Sequence, residues 1–218
     1  MQLKEHNPLF FDIETGPISG DEVRQYMPKF EAPSNYKDEE KIAKVIAEKE
    51  HAWLEKAALS PITGKVLAIG HCIDDKNVSV IEGDEKDIIS QFWESITYHG
   101  AILRKLIGFN SNSFDIPFLI RRSWKLGIKI PNTLYKYHRG RVYLHENCVD
   151  ILDYWSLDTR DSIKLADLAR YLEVGTKTAS GAEFSGLYAE NRDEAISYLK
   201  NDILLTYKCA YALQIVNF

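Results

Sequence analysis

Apolar and polar positions run along the chain in blocks of changing period, and these blocks predict the order of strands and helices. Leu9 to Ile13 is an apolar run with two aromatics, bounded by Pro8 and by Gly16-Pro17. It predicts a buried central strand. Gly16 to Asn35, rich in Gly, Pro and charge, reads as loop with a short helical turn at 21–27. From Tyr36 to Leu59, the residues Ile42, Val45, Ile46, Trp53, Leu54 and Ala57 recur at three- and four-residue spacings. That pattern predicts a packing helix ending before Ser60-Pro61. Lys65–Ile73 and Asn77–Glu82 predict a hairpin about Asp74-Asp75-Lys76. Asp84 is placed to cap a helix reaching about Tyr98, with Ile88, Ile89, Phe92, Trp93 and Ile96 on its buried side. A strand over 102–109, a helix over 114–126 stopped by Gly127 and a strand over 142–149 follow. A short helix over 162–172, a Gly/Ser/Thr loop over 175–186 and a long helix from Asn191 to about Ile215 complete the chain. Three early strands and then strand–helix alternation predict an α/β domain with a mixed sheet.

Composition narrows the class. The chain has 218 residues, enough for one domain, 1–218, with a helical insertion at about 16–60. No apolar run approaches the ~20 residues of a membrane span. The N-terminus lacks the basic-then-apolar order of a secretory signal. Cys72, Cys148 and Cys209 are odd in number and widely spaced, and read as reduced thiols of a cytoplasmic protein. The net charge of −5 argues against tight, sequence-independent duplex binding but permits a local basic surface.

The candidate chemistry lies where the first strand ends. Asp12 and Glu14 are two apart, so both side chains leave the same strand face. Two buried carboxylates are costly unless a cation offsets them, and Mg²⁺ favours such oxygen ligands. The same pattern also fits a strand running out into solvent, and Asp-x-Glu recurs at Asp38-Glu39-Glu40. Asp115 follows a strand end and opens a helix, where an acid also suits the helix dipole. Tyr198 and Asp202 lie four apart on the terminal helix, hence on one face; Tyr154 and Asp158 repeat the spacing. Four acids from two strand ends and one helix match a two-metal site for phosphoryl transfer.

Phe11-Asp12-Ile13-Glu14-Thr15, then Gly108-Phe109-Asn110 with Phe114-Asp115-Ile116-Pro117-Phe118, then Tyr198-x-x-x-Asp202 resemble the three motifs of the DEDDy 3′–5′ exonucleases. The likeness is greatest to the proofreading domain of family B DNA polymerases. Pro61–Gly70 and Leu165–Leu172 resemble its second strand and the short helix before its last motif. The resemblance implies a ribonuclease H-like fold, with a mixed five-stranded sheet flanked by helices. It also implies two Mg²⁺ or Mn²⁺ ions, bridged by Asp12. Glu14 and Asp202 would hold the ion that activates water, Asp115 would serve the second ion, directly or through water, and Tyr198 would orient the water. Ser197 stands where the sister DEDDh group has His, so the chain falls with the Tyr group. Because it ends at Phe218 just after the last motif, it is expected to stand alone without a polymerase.

Substrate contacts are expected from Thr15, Asn110, Phe114, Arg121, Arg122 and Lys125. Asn110 alternatively forms only the turn, and Phe114 only packs. Between Ile116 and His145 no acid occurs, whereas Arg121, Arg122, Lys125, Lys129, Lys136, Arg139 and Arg141 do, interleaved with Trp124, Tyr135, Tyr137 and His138. Cations with aromatics suit a single strand; a solvated helix face is the alternative, with Trp124 in the core. Asp150 reads as a support of the site or as a helix cap. The expected activity is a metal-dependent 3′–5′ exonuclease on single-stranded or frayed DNA, releasing nucleoside 5′-monophosphates. An exoribonuclease and an inactive nucleic-acid-binding module are the alternatives. The expected partners are single-stranded nucleic acid, DNA before RNA, and replication or repair proteins, with no membrane.

Overall fold

The central strand outruns its apolar stretch. In the computed structural model, which describes residues 7–98, 101–102, 104–138, 141–144, 146–176 and 184–216, β1 (Leu9–Pro17) continues through both acids. The other sheet strands are β2 (Gly64–Cys72), β3 (Ser79–Glu82), β6 (Leu106–Gly108) and β9 (Cys148–Asp150), in the order β3-β2-β1-β6-β9. β2 and β3 form the expected antiparallel hairpin, with Ile69 opposite Ile81. β6 runs parallel to β1, with Leu9 opposite Leu106, and β9 runs parallel to β6. This is the mixed five-stranded sheet expected.

Period-two alternation on β1 divides the core. Leu9, Phe11 and Ile13 join one cluster with Ile88, Ile89, Phe92, Trp93 and Ile96 of α3 (Glu85–Ile96). Phe118 and Leu119 of α4 (Asp115–Leu126) belong to the same cluster. Phe10 points the other way. It packs with Leu168 and Ala169 of α6 (Leu165–Tyr171), Phe184 of α7 (Phe184–Glu190), and Leu199 and Ile203 of α8 (Arg192–Ala212). Burying each such side chain contributes about 1.5–3 kcal/mol, so β1 is held from both faces. The caps are those the sequence offers: Asp84 accepts the Lys86 N–H, and Gly127 ends α4 at φ +68°.

The chain divides into two compact units, one of Met1–Glu14 with Val66–Phe218, the other Thr15–Lys65. The second unit holds α1 (Gly20–Arg24), α2 (Glu39–Glu55) and a 3-10 turn at Ala57–Leu59. Its small core is Ile18, Val23 and Ala57 with Trp53 and Leu54. α2 buries no residue fully; the expected packing is confined to its last turn, where Trp53 and Leu54 meet that core, while Ile42, Val45 and Ile46 are only half-buried. The Asp38 cap, bonded to the Glu40 and Lys41 N–H groups, and the last turn hold it.

Two other segments differ from the pattern. The apolar run before Phe109 breaks into β5 (Ala101–Ile102), paired with β4 (Thr97–Tyr98), and the core strand β6. The run before Asp150 splits into β8 (Arg141–Leu144), paired antiparallel with β7 (Tyr135–His138), and β9. A strand buried in a sheet and one in a two-stranded ribbon are both apolar, so periodicity alone does not separate them. α5 (Ile151–Ser156) is one and a half turns long and offers too short a stripe to read. Arg139, His145 and most of the 175–186 loop lie outside the described residues. Cys72, Cys148 and Cys209 form no disulfide. Among the described residues, no helix is long and apolar enough to cross a membrane.

Candidate active site

Alternation on β1 decides where the two acids go. Asp12 and Glu14 follow Phe10 at two-residue steps, so they share the strand face covered by α8. On α8, Tyr198, Leu199, Asp202, Ile203 and Thr206 are buried, a three- and four-residue spacing that turns one stripe inward. Gly70 of β2 lets that stripe come close: a Cβ there would lie 2.9 Å from both Leu199 Cγ and Ile203 Cγ1. Carboxylate oxygens of Asp12, Glu14 and Asp202 consequently lie within 4.8 Å of one another.

Tyr198 stands one turn before Asp202 and hydrogen-bonds to its carboxylate. Burial first, then the charge of Asp202 with Glu14 and Asp12 behind it, pushes the phenol pKa far above its usual value. The hydroxyl is therefore neutral at any working pH and can donate a hydrogen bond. The second Tyr-x-x-x-Asp pair has none of this. α5 ends at Ser156, Asp158 has φ +63°, and Tyr154 is 53% exposed where Tyr198 is 4% exposed.

Asp115 is 2% exposed at the start of α4. It stands outside the three-acid group and braces it from behind. Its Oδ1 accepts the Ile13 N–H at 3.0 Å, and its carboxyl hydrogen-bonds with that of Asp12. Burial, then the Asp12 charge, raises its pKa well above the ordinary range. So the structure gathers three of the four expected acids directly and couples the fourth to them through Asp12.

The turn between β6 and α4 is built around Asp150, whose part in the site the sequence left open. Its Oδ1 accepts the N–H of Asn110 at 2.8 Å and of Leu152 at 2.9 Å, and its Oδ2 accepts that of Asn112 at 2.9 Å. One carboxylate thus caps α5 and fixes the turn. Asn110 has φ +59° and is exposed; Asn tolerates that left-handed conformation better than most residues. Asn112 is a turn residue, its side chain bonded to Asp153. Phe114 is half-buried and packs on Phe118, ring centroids 5.6 Å apart. The signal for Asp150 was an acid at a strand end followed directly by apolar residues, a common N-cap pattern.

The basic candidates separate. Arg121 and Lys125 are exposed. Arg122 is not available to a strand, which corrects the expectation for it: it is 6% exposed and grips Glu85 through Nε at 2.8 Å and Nη2 at 2.6 Å. It lies about 100° round the helix from Arg121, on the inward face. Trp124, open to a core reading, is 62% exposed. Thr15 is half-buried on β1 and opens the second unit.

Three hard oxygen donors from a rigid strand and a packed helix fit a divalent cation such as Mg²⁺ or Mn²⁺. Without a cation, three acids this close repel one another, so the donor set itself favours a metal.

Residues 59–216 match the model of a family described as predicted 3′–5′ exonucleases related to the exonuclease domain of family B DNA polymerases. The match takes in Asp115, Tyr198 and Asp202 and begins after Asp12 and Glu14. An uncharacterized protein of Methanocaldococcus jannaschii is 29% identical over 152 residues, covering 69% of this chain and 81% of that protein. The family B DNA polymerase of the hyperthermophilic archaeon Pyrobaculum calidifontis has a similar fold, with TM-score 0.62 at 18% identity over 95% of this chain. The chain spans only 24% of that polymerase's length. The α/β fold is thus ribonuclease H-like, and the chain belongs to the family of predicted 3′–5′ exonucleases related to the exonuclease domain of family B DNA polymerases.

Proposed function

We propose that this protein is a metal-dependent 3′–5′ exonuclease that removes nucleoside 5′-monophosphates from single-stranded or frayed DNA. The observation that carries the reading is the 4.8 Å cluster of Asp12, Glu14 and Asp202 oxygens on one sheet face, with Tyr198 bonded to Asp202. Asp12, Glu14 and Asp202 would hold two Mg²⁺ or Mn²⁺ ions, with Asp115 engaged through Asp12 or through water. When bound, such a pair lowers the pKa of the attacking water and offsets charge on the departing 3′ oxygen.

The protein's own groups do the positioning. Tyr198, held neutral by burial and by the surrounding acids, cannot act as a base. It orients the water by hydrogen bonding, in line with the phosphorus and opposite the leaving oxygen. Asp115 keeps the Asp12–Glu14 segment straight through the Ile13 N–H. Asn110, displayed at a rigid turn, is a candidate contact to the terminal nucleotide, and Thr15 and Phe114 are candidates for the same role. Arg121 and Lys125 supply phosphate contacts. Buried cysteines that form no disulfide support a reducing, cytoplasmic compartment, where replication or repair proteins are candidate partners.

The test offers 5′-labelled DNA and RNA of one sequence with Mg²⁺, Mn²⁺ or EDTA. DNA is expected to shorten faster than RNA, only with metal, and a 3′-phosphate to slow it. Faster shortening of RNA would make the protein an exoribonuclease. Binding without cleavage under every metal would make it an inactive binding module.

A further inference from the structure

The outward face of α4 is a surface feature that neither the acid cluster nor the core explains. Pro117, Arg121 and Trp124 recur at four- and three-residue steps along it, with Lys125 alongside. Seven residues of the same helix, Asp115, Ile116, Phe118, Leu119, Ile120, Arg122 and Ser123, are buried on the other side. The Trp124 indole is 62% exposed, with the exposed Arg121 three residues before it and Lys125 next to it.

α4 is fastened at both ends. Asp115 ties its first turn to Ile13 in the site. Arg122 is locked to Glu85, and the Trp93 Nε1–H donates to Ser123 Oγ at 2.9 Å. Trp124 therefore stands at a fixed separation from the acids. Nine residues from Asp115 amount to about 13.5 Å of helix, or roughly four nucleotides at the stacked spacing of about 3.4 Å per strand.

We propose that this face is a platform for the single strand, resting on the exonuclease reading above. Trp124 stacks on a base about four nucleotides from the 3′ end, and Arg121 and Lys125 contact the flanking phosphates. Charge favours nucleic acid over a protein here. The chain is acidic overall, yet from Ile116 to His145 it holds seven Lys and Arg and no acid. Stacking on an aromatic face tolerates any base, so the platform selects an unpaired end of sufficient length and not a sequence. A duplex end, whose bases are already stacked, cannot use it until it frays.

The experiment measures binding and cleavage separately. Fluorescence anisotropy of 5′-fluorescein-labelled eight-nucleotide and three-nucleotide oligothymidylates is titrated with protein in EDTA, for the wild type and for Trp124→Ala, Trp124→Phe and Trp155→Phe. The eight-mer is expected to bind the wild type and Trp155→Phe with equal affinity. Trp124→Ala should bind it roughly tenfold more weakly or worse, the scale of one lost stacked base, and Trp124→Phe should recover most of the affinity. With Mg²⁺, Trp124→Ala should raise KM for the eight-mer but not for the three-mer, with kcat unchanged. Arg121→Ala with Lys125→Ala should flatten the salt dependence of binding. Equal eight-mer affinity in Trp124→Ala and wild type overturns the proposal and assigns the face to a protein partner. Because the titration needs no cleavage, a wild type that binds but never cuts would defeat the exonuclease reading and leave the platform standing.

Discussion

The backbone N–H of Ile13 donates to Asp115 Oδ1 at 3.0 Å, across 102 positions of chain. Ile13 lies between Asp12 and Glu14, so a residue on α4 sets the alignment of the strand that carries both. This separates two functions of Asp115. Asp115→Asn keeps an oxygen for the Ile13 N–H and removes an acid that burial and Asp12 disfavour. Its metal-free stability should equal or exceed that of the wild type. Asp115→Ala leaves a buried donor unpaired and should lose about 1–3 kcal/mol. Urea unfolding in EDTA measures both, and cleavage should be lost in each.

Tyr198 and Tyr154 form an internal control. If Tyr198 orients water, Tyr198→Phe should lower kcat by roughly one to three orders of magnitude with little change in strand affinity. Because its pKa is driven upward, the phenol stays protonated, and the shape of the pH–rate profile should not change in the variant. Asp202→Ala should be worse. Tyr154→Phe, on the exposed side of α5, and Asp158→Ala, past its end, should be nearly silent. Single-turnover cleavage at saturating metal compares the four.

Much of this site was legible because its residues obey short-range rules. Two-residue alternation placed Asp12 and Glu14 together, and four-residue spacing put Tyr198 beside Asp202. The capping position of Asp84 and the stop at Gly127 were equally local. Illegible were features decided by what lies opposite. Arg121 and Arg122 are adjacent and chemically identical; only the fold turns one to solvent and the other to Glu85. Trp124 fits either the core or a strand contact by sequence, and is exposed. β8 looks like one strand with β9 because an apolar run does not reveal which sheet receives it. Asp150 needed its three N–H donors in view before its part in the site was evident.

That hub gives a pH prediction. Burial raises the Asp150 pKa above the ordinary carboxylate value of about 3.9. Between the two values the folded protein keeps a proton that the unfolded chain has lost. The stability from this group is thus full below about 3.9 and declines as pH rises through the raised value. Asp150→Asn removes the titration and turns a donor toward the Asn112 N–H, so it should be less stable throughout. The gap to wild type should be widest near pH 4 and narrow toward neutrality. Thermal melts across that range in EDTA measure it.

Arg122 tests the division of the basic residues. Glu85 also accepts the Val66 N–H at 2.9 Å, so one buried carboxylate joins β2, α3 and α4. Arg122→Ala leaves that charge without its guanidinium and should cost about 3–5 kcal/mol, read by urea unfolding. The salt slope of strand binding should not move, in contrast to Arg121→Ala with Lys125→Ala.

The central claim is that Asp12, Glu14 and Asp202 hold divalent metal for cleavage from the 3′ end. The measurement is single-turnover cleavage of a 5′-labelled single strand by wild type, Asp12→Asn and Asp202→Asn with Mg²⁺, and by wild type in EDTA. Thermal melts with and without Mg²⁺ are taken on the same samples. The account predicts a ladder descending from the 3′ end for wild type with Mg²⁺ and no cleavage in the other three cases. Both variants should be folded and at least as stable as wild type without metal, and should lose the stabilisation that Mg²⁺ gives wild type, which is about 2.7 kcal/mol at a hundredfold excess over Kd. Cleavage by Asp12→Asn at the wild-type rate, or internal fragments at the earliest times, would contradict it.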